Sequence, residues 1–213
     1  MRYLAALAVC LSPLLAEAGS YIVIASGDTV PVPAVLDVPA EYVGVSVYIR
    51  SAAKDAAKRI DEVNETRVRL NRAVSANPNL QIQWARSSYS AAEGSYKFSS
   101  YSGADSQSQM FVLGKLGSAG IDAVTKQIIS AIKTVEAVGD ASITTGDTRL
   151  GVTDPERFRK KLLGLIKDNA GEARTALGGS SLEISGVGSP VQVVQKNDKE
   201  VSLFINYRVT VKK

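Results

Sequence analysis

The 213-residue sequence contains no histidine, and its single cysteine is Cys10. Without imidazole, Ser-His-Asp and Cys-His nucleophilic catalysis are excluded. So is the one side chain whose ordinary pKa suits proton exchange near neutral pH. Almost all zinc sites, which draw on Cys and His, are excluded with them. Aromatic residues are scarce at 6%, with a single Trp. Neither sign of charge dominates: 25 Lys and Arg against 21 Asp and Glu leave +4. The basic residues are scattered rather than clustered, so nucleic acid is not an expected partner.

What is present begins with Met1-Arg2-Tyr3, an apolar run from Leu4 to Leu15, and Ala16-Glu17-Ala18. A positive start, a short apolar stretch and a small-x-small site predict a signal peptide over residues 1–18, cleaved after Ala18. The run is too short for a bilayer, which needs about 20 apolar residues, and no membrane span is expected after cleavage. Cys10 lies inside the apolar run after Ala8-Val9, an unsuitable setting for a lipoprotein site. Its removal leaves a mature chain with neither thiol nor disulfide, held by packing alone, which a chain of this size can manage.

Residues 19–37 read as an extended N-terminal segment in which Ile22 to Ile24 form a short strand. Pro31, Pro33 and Pro39 confine the rest to linker or edge strand. Tyr42 to Ile49 alternates strictly and predicts a strand. Ser51 is expected to cap a helix whose inward side is Ala53, Ala56, Ala57, Ile60, Val63, Leu70 and Val74, stopped by Asn77-Pro78-Asn79. Leu80, Ile82 and Trp84 predict a second strand. Residues 87–108 are rich in Ser, Tyr, Gly and Ala and read as a loop or long hairpin tip, and Gln109 to Leu116 as a third strand. A helix is expected over 120–137 with Ile121, Val124, Ile128, Ile132 and Val135 inward, then a strand over 141–145. Thr153-Asp154-Pro155-Glu156 predicts a helix start, with Phe158, Leu162, Leu165, Ile166, Ala173 and Leu177 buried and Gly178-Gly179 as the stop. Leu182 to Val187 begin a strand expected to run past Pro190. Residues 191–213 read as a C-terminal hairpin around a turn at Lys196–Lys199. This order predicts an α+β fold: an antiparallel or mixed sheet with about three helices packed on one face, in two βαβ-type lobes.

Four observations bear on sites. Asp61, Glu62 and Glu65 are the remaining acid–base candidates, but their spacing to Lys58 and Arg69 is that of a solvated salt-bridged helix face. Asp140, Asp147 and Asp154 lack the spacing of a calcium loop. Gly178-Gly179 and Gly186-x-Gly188 lack a strand–loop–helix context and read as a helix cap and a turn, not phosphate loops. No catalytic, cofactor-binding or metal residue is therefore assigned, and no cofactor is expected. The aromatics of the Ser/Tyr-rich stretch, Tyr89, Tyr96, Phe98 and Tyr101, form a possible partner-binding loop.

Three segments carry a family likeness: Val38-Pro39-Ala40-Glu41-Tyr42-Val43-Gly44-Val45 before an Ala-rich helix, Gly120-Ile121-Asp122-Ala123, and Ser189-Pro190-Val191-Gln192-Val193 with Val201 to Val209. With the element order they resemble the SIMPL domain family of periplasmic immunogenic and oxidative-stress-defence proteins, over residues 38–213. The chain departs from that pattern at Pro39-Ala40, where the family carries Pro-Asp, and in a third helix poorer in alanine. The resemblance implies a periplasmic α+β domain that self-associates, in some relatives into ring-like assemblies, with roles in envelope-stress tolerance or as a signalling adaptor. It carries no catalytic residues across. The expected function is thus non-enzymatic: an exported homo-oligomer that binds envelope components. The alternatives are an adaptor or chaperone that grips clients through residues 88–106, or a carboxylate hydrolase of envelope glycans.

Overall fold

The computed structural model describes residues 22–24, 34–89 and 105–212. Strand β1 is Ile22–Ile24, β2 is Leu36–Pro39 and β3 is Tyr42–Ser51. Helix α1 (Ala56–Ser75) leads to β4 (Leu80–Ser88) and β5 (Ser106–Lys115), and α2 (Ile121–Lys133) leads to β6 (Ala141–Thr153). A 3-10 turn at Pro155–Phe158 opens α3 (Arg159–Ala176). Strands β7 (Ser181–Ser185), β8 (Gln192–Gln195), β9 (Glu200–Phe204) and β10 (Arg208–Lys212) complete the described chain.

The fold is α+β, and every strand pairing among the described residues is antiparallel. The largest sheet runs β1-β6-β3-β5-β4. In it β3 and β4 are parallel with β5 between them, and β5 and β6 are parallel with β3 between them. These are two interleaved split βαβ units, which put both crossover helices on one face. The covered face is set by the period of two: Val43, Val45, Val47 and Ile49 of β3 are buried beside Leu150 of β6 and Met110 and Val112 of β5. Val63, Leu70 and Val74 from α1 and Val124, Ile128 and Ile132 from α2 complete that layer.

Helix α3 packs on the two-stranded ribbon β7–β10 and contributes Leu162 and Ile166 to the same core. A third sheet, β2-β9-β8, adds Val193, Val201 and Leu203, and the Gln195 side chain accepts the Leu150 N–H of β6 at 3.2 Å. The segment before residue 38 thus enters the fold twice, as β1 on β6 and as β2 on β9. Pro39 sits on an edge strand, where its missing N–H leaves no gap in a ladder. Pro31 and Pro33 lie outside the described residues, as do residues 1–18.

Several local expectations need correction. Helix α1 is capped by Asp55, whose Oδ1 accepts the Lys58 N–H at 2.7 Å, and not by Ser51, which ends β3. Two cap-type residues lie four apart, and the later one wins because the Ser51 hydroxyl is committed elsewhere. Nor is the inward stripe of α1 its alanines: Ala57 is exposed, while Arg59, Glu62, Val63, Thr66, Leu70 and Val74 make the buried ladder. Helix α2 ends at Lys133, about a turn early. Gly139 at φ +58 then turns the chain into β6.

Strand β6 runs on to Thr153 because Gly146-Asp147 is a bulge opposite Ser46, not a turn. A Cβ at Gly146 would meet the Ser46 hydroxyl, so a larger residue there would have to displace that side chain. Strand β7 stops at Ser185 and does not pass Pro190; Gly186, at φ +81, turns the chain instead. The C-terminal hairpin is only β8–β9, because the chain crosses at Ile205–Tyr207 so that β10 can pair with β7 and cover α3. Ala173 is only half buried and Leu177, in the last turn, is 64% exposed.

Candidate functional site

Asp61, Glu62 and Glu65, the remaining acid–base candidates, are expected from their spacing to form a solvated helix face. Asp61 and Glu65 are both exposed on α1, and Glu65 is paired with Arg69 at 2.7 Å. That is the solvated i,i+4 pair that the spacing predicts. Glu62 differs: it is buried, against the expectation of a wholly solvated face. Its Oε2 accepts the Ser51 hydroxyl at 2.5 Å, and its Oε1 accepts the Asp140 N–H at 3.1 Å, with Lys58 Nζ at 3.5 Å. Lys58 also pairs with Asp140 at 3.0 Å. Both carboxylate oxygens are thus used to tie the start of α1 to the end of β3 and the start of β6. Beside them Arg59 NH1 donates to the carbonyls of Ala53 and Lys54, at 2.7 and 2.9 Å. This cluster is joinery between three elements, in which each Glu62 oxygen already accepts a protein donor.

The three aspartates considered for calcium are dispersed. Asp140 serves Lys58, Asp147 lies 3.6 Å from Arg149, and Asp154 begins the 3-10 turn. Among the described residues no cluster of three or more metal-ligating side chains forms. Gly178-Gly179 closes α3 in a Schellman motif, with Gly179 N–H donating to Arg174 O and Gly178 N–H to Thr175 O.

The exposed aromatics remain. Burial falls along β4: Leu80 is buried, Ile82 is partly covered and Trp84 is 46% exposed. Trp84 pairs with Met110, so it points to the helix-covered side, but β4 is the edge strand and α1 shields only part of the ring. The Arg67 guanidinium of α1 stacks on the indole 4.4 Å from the ring centroid. From there Arg67 NH1 donates to the Tyr89 hydroxyl and to Asn64 Oδ1, and the Tyr89 hydroxyl donates to Asn64 Oδ1, each at 3.3 Å. Val68 follows on the same helix and is 58% exposed. A tryptophan, a tyrosine and an arginine are therefore fixed together at the α1–β4 edge, where two strand residues past Trp84 the register shifts at a bulge.

Of the four aromatics assigned to a partner-binding loop, Tyr89 belongs to this surface, while Tyr96, Phe98 and Tyr101 lie outside the described residues. Sequence reasoning missed Trp84, Arg67 and Asn64. Trp84 continues the alternation of Leu80 and Ile82 and so looks like core. The edge position that exposes it is a property of sheet order, to which periodicity is blind. Compared with protein-family models and with curated proteins, the chain matches none.

Proposed function

We propose that the chain is an exported, non-enzymatic binding protein that self-associates through the α1–β4 edge and acts in the bacterial envelope. The observation that carries this reading is the Trp84 indole, half exposed yet locked by Arg67 at 4.4 Å. Trp, Tyr and Arg are the residues that dominate binding hot spots; Trp and Tyr give a large contact area for little lost conformational freedom, and Arg, which loses more, gains most from being held beforehand. Here that loss is already reduced by the stack and by the Asn64–Arg67–Tyr89 hydrogen bonds. The absent imidazole, the buried and hydrogen-bonded Glu62 and the SIMPL-like pattern support a binder over a catalyst, and the predicted signal over residues 1–18, which carries away Cys10, supports periplasmic residence.

The test is a photoreactive residue at position 84 in intact cells. A crosslinked product containing two copies of this chain is the expected result. Only uncrosslinked chain, or crosslinks confined to variants that fail to fold, would contradict the reading.

One observation favours a second reading, an adaptor for other proteins: Tyr89 joins the described surface at the start of the Ser/Tyr-rich stretch. Replacing residues 90–104, between the paired ends of β4 and β5, by a short Gly/Ser turn should then abolish client capture and spare folding. Unchanged capture removes this alternative.

A further inference from the structure

Away from the α1–β4 edge, the strands β3, β5 and β6 end around a cleft of about 420 Å³. Its wall includes Glu41, Tyr42, Lys115, Gly117, Thr153 and Arg157. The corner residue Glu41 is pinned on every side. Its N–H donates to Gly151 O at 2.9 Å, its carbonyl accepts from Leu116 N–H at 2.9 Å, and its Oε2 accepts from Thr153 N–H at 2.8 Å. Its other oxygen holds an NH2 of Arg157. Asp154, which follows Thr153, is the one non-glycine with a positive φ among the described residues, at +41. Left-handed geometry in such a residue is a strain that the surroundings must impose, and it recurs at ligand sites. Here it swings the 3-10 turn, and with it Arg157, back over the cleft.

The wall carries two cations against one carboxylate, a net charge of +1, because Glu41 and Arg157 form an ion pair and Lys115 is left unmatched. Both Glu41 oxygens are occupied by protein donors, so it orients Arg157 without facing the cleft as an unpaired anion. Arg157 spends one NH2 on Glu41; its Nε and NH1 have no acceptor among the described residues. Lys115 has no acidic partner among them. A guanidinium and an ammonium presented from different elements suit an anion with more than two oxygens. A carboxylate can be satisfied by one arginine fork, whereas a phosphate accepts from several directions. The cleft is also larger than a bare phosphate needs and lies in the size range of organic ligand sites.

We infer that this cleft binds the phosphate group of a phosphate ester, with Lys115 and Arg157 as its cationic jaws. The same chemistry is offered by a soluble ester and by a phospholipid headgroup, and the test separates them. Amide NMR of the mature protein is followed while glycerol 3-phosphate is added, and binding to phosphatidylglycerol vesicles is measured by co-sedimentation.

The expected result is a saturable shift centred on Tyr42, Lys115, Gly117 and Thr153. Lys115→Gln should weaken binding about tenfold, the scale of one lost charge-assisted contact, with unchanged thermal stability. Lys126→Gln, the same charge change on exposed α2, should leave it intact. Vesicle binding with that same variant pattern, but no shift by the soluble ester, identifies a headgroup as the source. The inference is overturned by shifts scattered over the surface, by equal effects of the two lysine variants, or by no binding to either probe.

Discussion

Three acidic residues within one turn and a half of α1 behave in two ways, according to their surroundings. Asp61 and Glu65 face water, where ion pairs contribute at most about 1 kcal/mol. Glu62 is buried and accepts from Ser51 and Asp140; a buried acid with such partners is expensive to remove. Glu62→Ala should therefore lower unfolding free energy by about 3 kcal/mol, whereas Asp61→Ala and Glu65→Ala should each stay within about 0.5 kcal/mol. Urea unfolding of the three variants checks this, and equal effects would refute the joinery assigned to Glu62. Gly139 belongs to the same knot, since a Cβ there would strike the Glu62 carboxylate. The sequence shows the i,i+4 spacings that pair Glu65 with Arg69. It does not show that Glu62 is the member turned inward, because the partner Asp140 arrives from a loop 78 residues away.

Elements defined by local signals are the ones legible in the chain. Asn77-Pro78-Asn79 ends α1, with Asn77 Oδ1 accepting the Asn79 N–H at 3.0 Å. Asn197 organises the β8–β9 turn by accepting from Lys199 and Glu200. Gly178 at φ +63 closes α3 and has open space around its Cα. Gly178→Ala therefore meets no neighbour and isolates the backbone term: unfolding free energy should fall by about 1–2 kcal/mol, read by chemical denaturation. No loss would mean that the Schellman closure does not hold in solution.

Asp55→Ala should cost about 1 kcal/mol by removing the α1 cap, again read by denaturation. A silent Asp55→Ala would reinstate Ser51 as the cap. Signals fail where pairing is non-local. The bulge at Gly146-Asp147 mimics a turn, and the crossing at Ile205–Tyr207 preserves the apolar alternation from Val201 to Val209 while changing the partner strand. The same blindness hides the candidate surface, since nothing in Leu80-x-Ile82-x-Trp84 tells that β4 is an edge.

At the scale of the whole molecule, three carboxylates staple separate parts of the chain and set its response to acid. The Lys196 ammonium and Ser202 hydroxyl hold Asp37 below its ordinary value of 3.8. The Arg159 guanidinium, with the Val191 N–H, outweighs burial to hold Glu156 below 4.5. For Glu41, burial pushes upward, but the Thr153 N–H and hydroxyl and Arg157 bring it below 4.5. A carboxylate lowered in the fold adds stability that is full above its unfolded value and lost as pH falls through the folded one. Thermal stability should thus be flat down to about pH 5 and fall below about pH 4. Glu156→Gln should reduce stability at pH 7 and make the acid fall shallower; a variant curve parallel to wild type would contradict the staple.

The central claim concerns the surface that these staples leave exposed. Size-exclusion chromatography with light scattering, on residues 19–213 at micromolar concentration, tests it most directly beside Trp84→Ser. The account predicts more than one copy per particle for the wild type and a folded monomer for Trp84→Ser. A monomeric wild type, or a variant that assembles equally well, would contradict it.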